Sequence, residues 1–252
     1  MDLKKGNNVP AGHYGMPYMD FMGHISRARN SRRYLEVGVS HGHLMSQIYT
    51  DRAIGVDPCY QIVANVAKNK KIVTLIQEPS DTFFAEFNFN EICGAGPDLV
   101  FLDGMHTFEY LLRDFYNTEK ISTDGTLIVM HDCLPLNAEM AERNMGKSIE
   151  LGASTPFSGY WTGDVWKIIP ILRKHRRDLR ITYVDCPPTG LVCISNLNPS
   201  STTLVENYYS IVDEFRALPN DMNSITKMYS EIEIIPSSVI TNDFDLTIYF
   251  KG

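Results

Sequence analysis

The sequence has no apolar run approaching the roughly 20 residues that a helix needs to span a bilayer, and its opening "MDLKKGNNVPAGHYG" carries no signal-peptide pattern. It has no surplus of positive charge. Its 23 Lys and Arg against 30 Asp and Glu leave a net charge of −7, which disfavours a general binder of nucleic acid or of an anionic membrane. Its five cysteines, Cys59, Cys93, Cys133, Cys186 and Cys193, lack the paired spacing of a metal finger. An odd cysteine count without an export signal implies reduced thiols and a cytoplasmic setting, the host cytosol if the chain is viral. There is no internal repeat and no low-complexity segment.

What is present reads as one α/β domain with additions, since 252 residues are short for two full domains. Five short apolar runs alternate with helical stretches: "RYLEVGV" (33–39), "AIGVD" (53–57), "IVTLI" (72–76), "DLVFLD" (98–103) and "TLIVMHD" (126–132). Strands that are apolar on both faces belong in a parallel sheet covered by helices, joined by right-handed crossovers. Residues 133–163, rich in Gly, Ser, Asn and Pro, read as mostly loop. A helix follows over 163–178, with Pro170 as a kink or boundary. "RITYVDC" (180–186) and "LVCISN" (191–196) are joined only by "PPTG", too short for a parallel crossover, so they form an antiparallel hairpin. The expectation is a doubly wound, seven-stranded, mostly parallel sheet over 33–196. A cap segment (1–32) precedes it and an appendage (197–252) follows. The appendage holds a helix over 203–218 and short strands in "SEIEIIPSSVI" and "DFDLTIYF". It would cover the sheet edge or mediate homo-oligomerisation. The basic run "LRKHRRDLR" (172–180) is a solvated helix end, or else a phosphate-contacting patch.

Two places along the sheet carry chemistry. In "YLEVGVSHGH" (34–43), Glu36, Gly38 and Gly42 fall at the first strand-to-helix turn. Gly38 permits a tight bend, and Gly42 would let a ligand approach the helix N-terminus. Asp57 ends the second strand about twenty residues on, where an acid can bind a ribose diol. A negative Glu36 beside the turn is awkward for pyrophosphate and suits an adenosine ligand with a cationic amino-acid end, as in S-adenosylmethionine. A tight turn with no ligand is the other reading. The second place is the end of the fourth and fifth strands, where Asp103 and His106 face His131 and Asp132. Two neighbouring carboxylates repel unless a proton or cation lies between them, and a hard divalent ion such as Mg²⁺ would satisfy them. His106 could then take a proton from an attacking hydroxyl. Alternatively His106 caps the next helix, and His131–Asp132 is a structural pair.

The turn "LEVGVSHG", the acid in "GVDP" and the terminal hairpin resemble the class I S-adenosylmethionine-dependent methyltransferases. The resemblance implies that Glu36, Gly38, Ser40 and Gly42 line the cofactor's amino-acid end and ribose, and that Asp57 holds the ribose hydroxyls. It places Ser80 and Asp81, in "QEPSDTF" (77–83), near the adenine, although they also suit a helix N-cap. "LVFLDGMHTFEYLLRDF" followed by "DGTLIVMHDC" resembles the sugar O-methyltransferases related to macrocin and rhamnosyl O-methyltransferases. That implies Asp103, His131 and Asp132 as metal ligands, with Asp103 also beside the cofactor and His106 as base. His131 departs from the pattern, because clear metal binders carry an acid there and a histidine makes a softer site.

On the substrate side, Tyr160, Trp161 and Trp166 could stack on a sugar and Asp164 could bind its hydroxyls. Core packing for Trp166 and an N-cap for Asp164 are the alternatives. Tyr14, Gly15 and Met16 could fold over the cofactor or merely cap the surface. The leading expectation is methylation of a sugar hydroxyl on a glycan, nucleotide sugar or glycosylated metabolite. The competing ones are a phenolic or other small hydroxyl acceptor, and a non-catalytic subunit that binds a partner through 197–252.

Overall fold

A computed structural model of the chain describes residues 9–240 and 243–250. The apolar runs become β1 (Arg33–Val37), β2 (Arg52–Val56), β3 (Ile72–Ile76), β4 (Leu99–Leu102) and β5 (Leu127–Met130). Every residue of β4 and β5 is buried. Burial of each such side chain stabilises by roughly 1.5–3 kcal/mol, which favours placing these two strands inside the sheet. β3 exposes Ile72 and Leu75 and forms one edge. The hairpin is β6 (Arg180–Val184) and β7 (Leu191–Ser195), with β7 antiparallel to both β5 and β6.

The sheet runs β3-β2-β1-β4-β5-β7-β6-β8. It has eight strands rather than seven, because Ile234–Ile235 forms a two-residue β8 parallel to β6 and covers that edge. The second short strand expected of the tail is not formed. "DFDLTIYF" is a helix, Asp243–Phe250, that buries Leu246 and Phe250. Residues 133–163 are not all loop, because Met145–Gly152 is helical.

Helices cover both faces. Tyr18–Ala28 (α1) and His43–Gln47 (α2) lie on one side, with the terminal helix. Ser80–Glu86 (α3), Phe89–Cys93 (α4), Phe108–Lys120 (α5) and Ile168–His175 lie on the other. The helices Tyr208–Arg216 and Met222–Ser230 send Ile211, Val212, Phe215, Ile225 and Met228 into that second core. Pro170 sits in the first turn of its helix, where its missing N–H has no partner to lose. Within the basic run, Arg176 is buried and paired with Glu119, Nη2 to Oε1 at 2.7 Å. Among the described residues no helix is long and apolar enough to cross a membrane.

The order in which strands are added reverses between β1 and β4: β2 and β3 add on one side of β1, β4 and β5 on the other. Ligands of open α/β sheets bind at such a switch point, beyond the carboxyl ends of the strands. Both sequence motifs lie there.

Candidate active site

The turn after β1 makes the first half of the site. Gly38 takes φ +89°, and a Cβ there would fall 1.9 Å from the Asp103 carbonyl oxygen, so only glycine lets the two loops at the switch point touch. Ser40 is also left-handed, at φ +48°. It is held by Asp57, whose Oδ2 accepts from the Ser40 amide at 2.7 Å, while Oδ1 accepts from the Cys59 amide at 2.8 Å. A carboxylate has about four acceptor positions, so two remain for a ligand diol.

Two adjoining cavities open on this turn. One, of about 580 Å³, is lined by Gly38, Ser40, Asp57, Ser80, Asp81, Asp103 and His106, with Met105 and Tyr110 as apolar wall. The other, of about 230 Å³, is lined by Tyr18, Glu36, Gly38, Ser40, His41, His43 and Asp103. Of the expected cofactor residues, Gly42 reaches neither. A Cβ at Gly42 would meet Val66 Cγ1 at 2.5 Å, and φ is +76°, so this glycine serves packing and the turn instead of ligand approach. Asp81 lines the cavity while paired with Arg113 at 2.7 Å. The residue before α3 is Pro79, so Ser80 and Asp81 begin the helix and do not cap it.

Glu36 is buried and accepts a hydrogen bond from the Tyr34 hydroxyl at 2.6 Å. Burial pushes its carboxyl up to about 8, with Asp103 and Asp57 adding to the rise. An acid so placed favours a cationic ligand group, which would restore its ionised form.

The second half of the site is a four-residue cluster. His106 Nε2 lies 3.6 Å from Asp103 Oδ1 and 3.4 Å from Asp132 Oδ2. His131 Nδ1 lies 3.4 Å from each of the same two oxygens. Asp132 is left-handed at φ +57°, a costly conformation outside glycine, and Thr189 donates to its Oδ1 at 2.7 Å. Burial opposes imidazolium at His131, but Asp132 and Asp103 outweigh it and push the ring up to about 10. Burial likewise raises Asp103, yet His131 and His106 prevail and hold it well below the usual carboxylate range. His106 is raised too: burial opposes the charge, and the hydrogen bond to Asp103 with the field of Asp132 overcomes it. The two acids therefore demand positive charge beside them. A proton on His131 supplies it, and so would a cation. Asp103, His131 and Asp132 suit one, since they offer ligand atoms within 4.8 Å of one another, and His131 Nδ1 is buried without a hydrogen-bond partner.

The segment 133–163 lies over this cluster. His106 Nδ1 donates to the Trp161 carbonyl at 3.1 Å, which leaves Nε2 facing the acids. The Trp161 ring stacks on His106 at 4.5 Å, and its Nε1 donates to the Glu142 carbonyl at 2.7 Å. One face of Trp161 is thus committed to the histidine, whereas Tyr160 is 47% exposed, and neither ring lines the two cavities. His106 does not cap α5.

Asp164 corrects a sequence expectation. It is fully buried: Oδ1 accepts from the Phe108 amide at the start of α5 (3.1 Å), and Oδ2 pairs with Arg143 (2.6 Å) and the buried Lys167 (3.2 Å). It cannot bind an acceptor, and it caps a helix 56 residues earlier in the chain. Asp164→Ala strands Lys167 in the interior. Removing one partner of a buried pair costs about 3–5 kcal/mol, so urea unfolding of this variant is expected to show a loss of about that size. A change below about 1 kcal/mol would contradict the structural role.

Trp166 is core, 1% exposed, with Nε1 donating to Asn220. Gly15 and Met16 dock on Asp185 and Ser237, and Tyr14 is exposed, so none of the three lines either cavity. From the N-terminal region, Tyr18 reaches the site, its ring 4.3 Å from that of His131. Sequence reasoning missed Tyr18 and Thr189. The only available signal for Thr189 was its place in the tight turn "PPTG".

Residues 35–133, from β1 to just beyond β5, match the family model of a methyltransferase domain. No protein of curated function matches the sequence. Among solved structures, the chain is similar to an O-methyltransferase from Bacillus cereus in complex with S-adenosylhomocysteine, at 15% identity, 74% of this chain, 83% of that one and a TM-score of 0.47. It is also similar to the O-methyltransferase TomG from Streptomyces achromogenes, involved in tomaymycin synthesis and solved with S-adenosylmethionine, at 16% identity, 72% of this chain, 80% of that one and a TM-score of 0.47.

Proposed function

We propose, from the methyltransferase domain that residues 35–133 form, that the chain transfers a methyl group from S-adenosylmethionine to a sugar hydroxyl. The observation that supports this reading is the placement of His106 Nε2, 3.4–3.6 Å from two carboxylates, in the lining of a cavity that Asp57 also lines. The residues fit the cofactor: Asp57 has acceptor positions for a ribose diol, Glu36 is a buried acid suited to the ammonium, and Ser80, Met105 and Tyr110 wall the space left for adenine. When bound, the cofactor supplies an activated methyl group on a sulfonium. The protein's share is then to align the acceptor and to remove its proton.

His106 is the base in this scheme. The Trp161 carbonyl holds the proton on Nδ1, so Nε2 is the nitrogen that receives the acceptor's proton. Positive charge beside Asp103 and Asp132 offsets their pull on His106 and lets it work as an acceptor. Asp103, His131 and Asp132 would hold a divalent cation, which lowers the pKa of an acceptor hydroxyl. Tyr160, exposed and next in the chain to the Trp161 that stacks on His106, would offer an aromatic face for a sugar ring.

Two experiments test the reading. Dialysis against EDTA is expected to lower turnover at least about tenfold, with Mg²⁺ or Mn²⁺ restoring it; indifference to both treatments removes the cation. Mass-spectrometric detection of methyl transfer over a panel of nucleotide sugars, glycosides and phenols is expected to register glycosidic acceptors. Transfer to phenols alone would replace the sugar by a phenolic acceptor.

A further inference from the structure

The two cavities have an unusual charge inventory. Neither is lined by a single lysine or arginine, while Glu36, Asp57, Asp81 and Asp103 all line them. A ligand with an amino-acid end brings an ammonium and a carboxylate. The ammonium has Glu36 and Asp103 to meet it. The carboxylate would face those same acids in a part-buried lobe, where like charges repel strongly. Something in that lobe must donate to it.

The Tyr18 and Ser40 hydroxyls line it as well, and the ring N–H donors there belong to two histidines in the turn "SHGH". His41 and His43 both line the smaller cavity, together with Glu36 and Tyr18. Their rings lie side by side, 6.0 Å apart and within 14° of parallel. His41 Nδ1 is 2.9 Å from Ser40 Oγ, which occupies one nitrogen and leaves Nε2 for a ligand. The His43 ring makes no hydrogen bond among the described residues. Both side chains are exposed, so neither is needed to hold the core together. With Nδ1 accepting from the Ser40 hydroxyl, His41 Nε2 carries the N–H and can donate, and the bond of such an N–H to a carboxylate is charge-assisted.

We propose that His41 and His43 form a clasp for the carboxylate of the cofactor's methionine end, while Glu36, in the same cavity, takes its ammonium. This rests on the S-adenosylmethionine reading above. It assigns to a histidine pair the role that a basic residue would otherwise fill, and it explains how so acidic a site can accept an anionic group.

The test is calorimetric titration of the wild type and the His41→Ala/His43→Ala variant with two ligands. S-adenosylhomocysteine carries the amino-acid end, and 5′-methylthioadenosine lacks it. The double variant is expected to bind S-adenosylhomocysteine at least about tenfold more weakly, the loss of hydrogen bonds to a charged group. Its affinity for methylthioadenosine should stay within about twofold, which also reports that the cavity is intact. Equal weakening for both ligands would overturn the clasp, and so would no change for either. If the wild type binds neither ligand, the cofactor reading itself fails, a result distinct from both.

Discussion

Replacing His106 with alanine is expected to lower methyl-transfer turnover by about 100-fold or more, the usual contribution of a positioned base, while affinity for S-adenosylmethionine stays within about twofold. The separation follows from the polar contacts of the ring. Nδ1 is bound to the Trp161 carbonyl and Nε2 faces Asp103 and Asp132, with no bond to Gly38 and Ser40 after β1 or to Asp57 after β2. His106→Gln is a useful companion, because a side-chain amide preserves much of the shape and can donate to Trp161 but cannot take up a proton. The scheme expects this variant to be as slow as alanine. Recovery of turnover by glutamine would make His106 a positioning group, and normal turnover in the alanine variant would remove it from the mechanism.

Asp57→Ala is expected to act on the opposite quantity. Affinity for S-adenosylmethionine should fall about 10- to 100-fold, because hydrogen bonds to a charged group are worth about 1.5–3 kcal/mol each. A second effect adds to the first. Asp57 Oδ2 holds the Ser40 amide at 2.7 Å, and Ser40 occupies a left-handed conformation that it would not keep unaided. Turnover at saturating cofactor should change by only a few fold, since Asp57 stands apart from the four-residue cluster. An affinity within about twofold of wild type would contradict the assignment of Asp57 to the ribose.

The parallel strands were legible because a run such as "LVFL" is apolar on both faces, which only a doubly covered sheet satisfies. The acids and histidines at the strand ends were legible for the converse reason: polar groups at the end of a buried strand are costly unless used. The terminal segment was misread because "DFDLTIYF" alternates like a strand. Its helix is selected by Leu246 and Phe250, four residues apart and both buried, and that burial is tertiary. The strand expected in "SEIEIIPSSVI" forms as Ile234–Ile235, and what the local sequence does not show is that it joins the main sheet beside β6 as an eighth strand. Asp164 looked like a local cap or a substrate ligand. Its real partners, Phe108 and Arg143, are brought to it by the fold. Gly42 was assigned to a ligand because nothing local shows that Val66 fills the space beside it. Trp161 was recognised as part of the site, but its stacking on His106 depends on how residues 133–163 return over the cluster.

The most direct measurement of the central claim is calorimetric titration of the unmodified chain with S-adenosylmethionine. The cavity that Gly38 and Asp57 line predicts saturable binding at one site per chain. A flat titration, with no thermal stabilisation by the same ligand, would contradict the account.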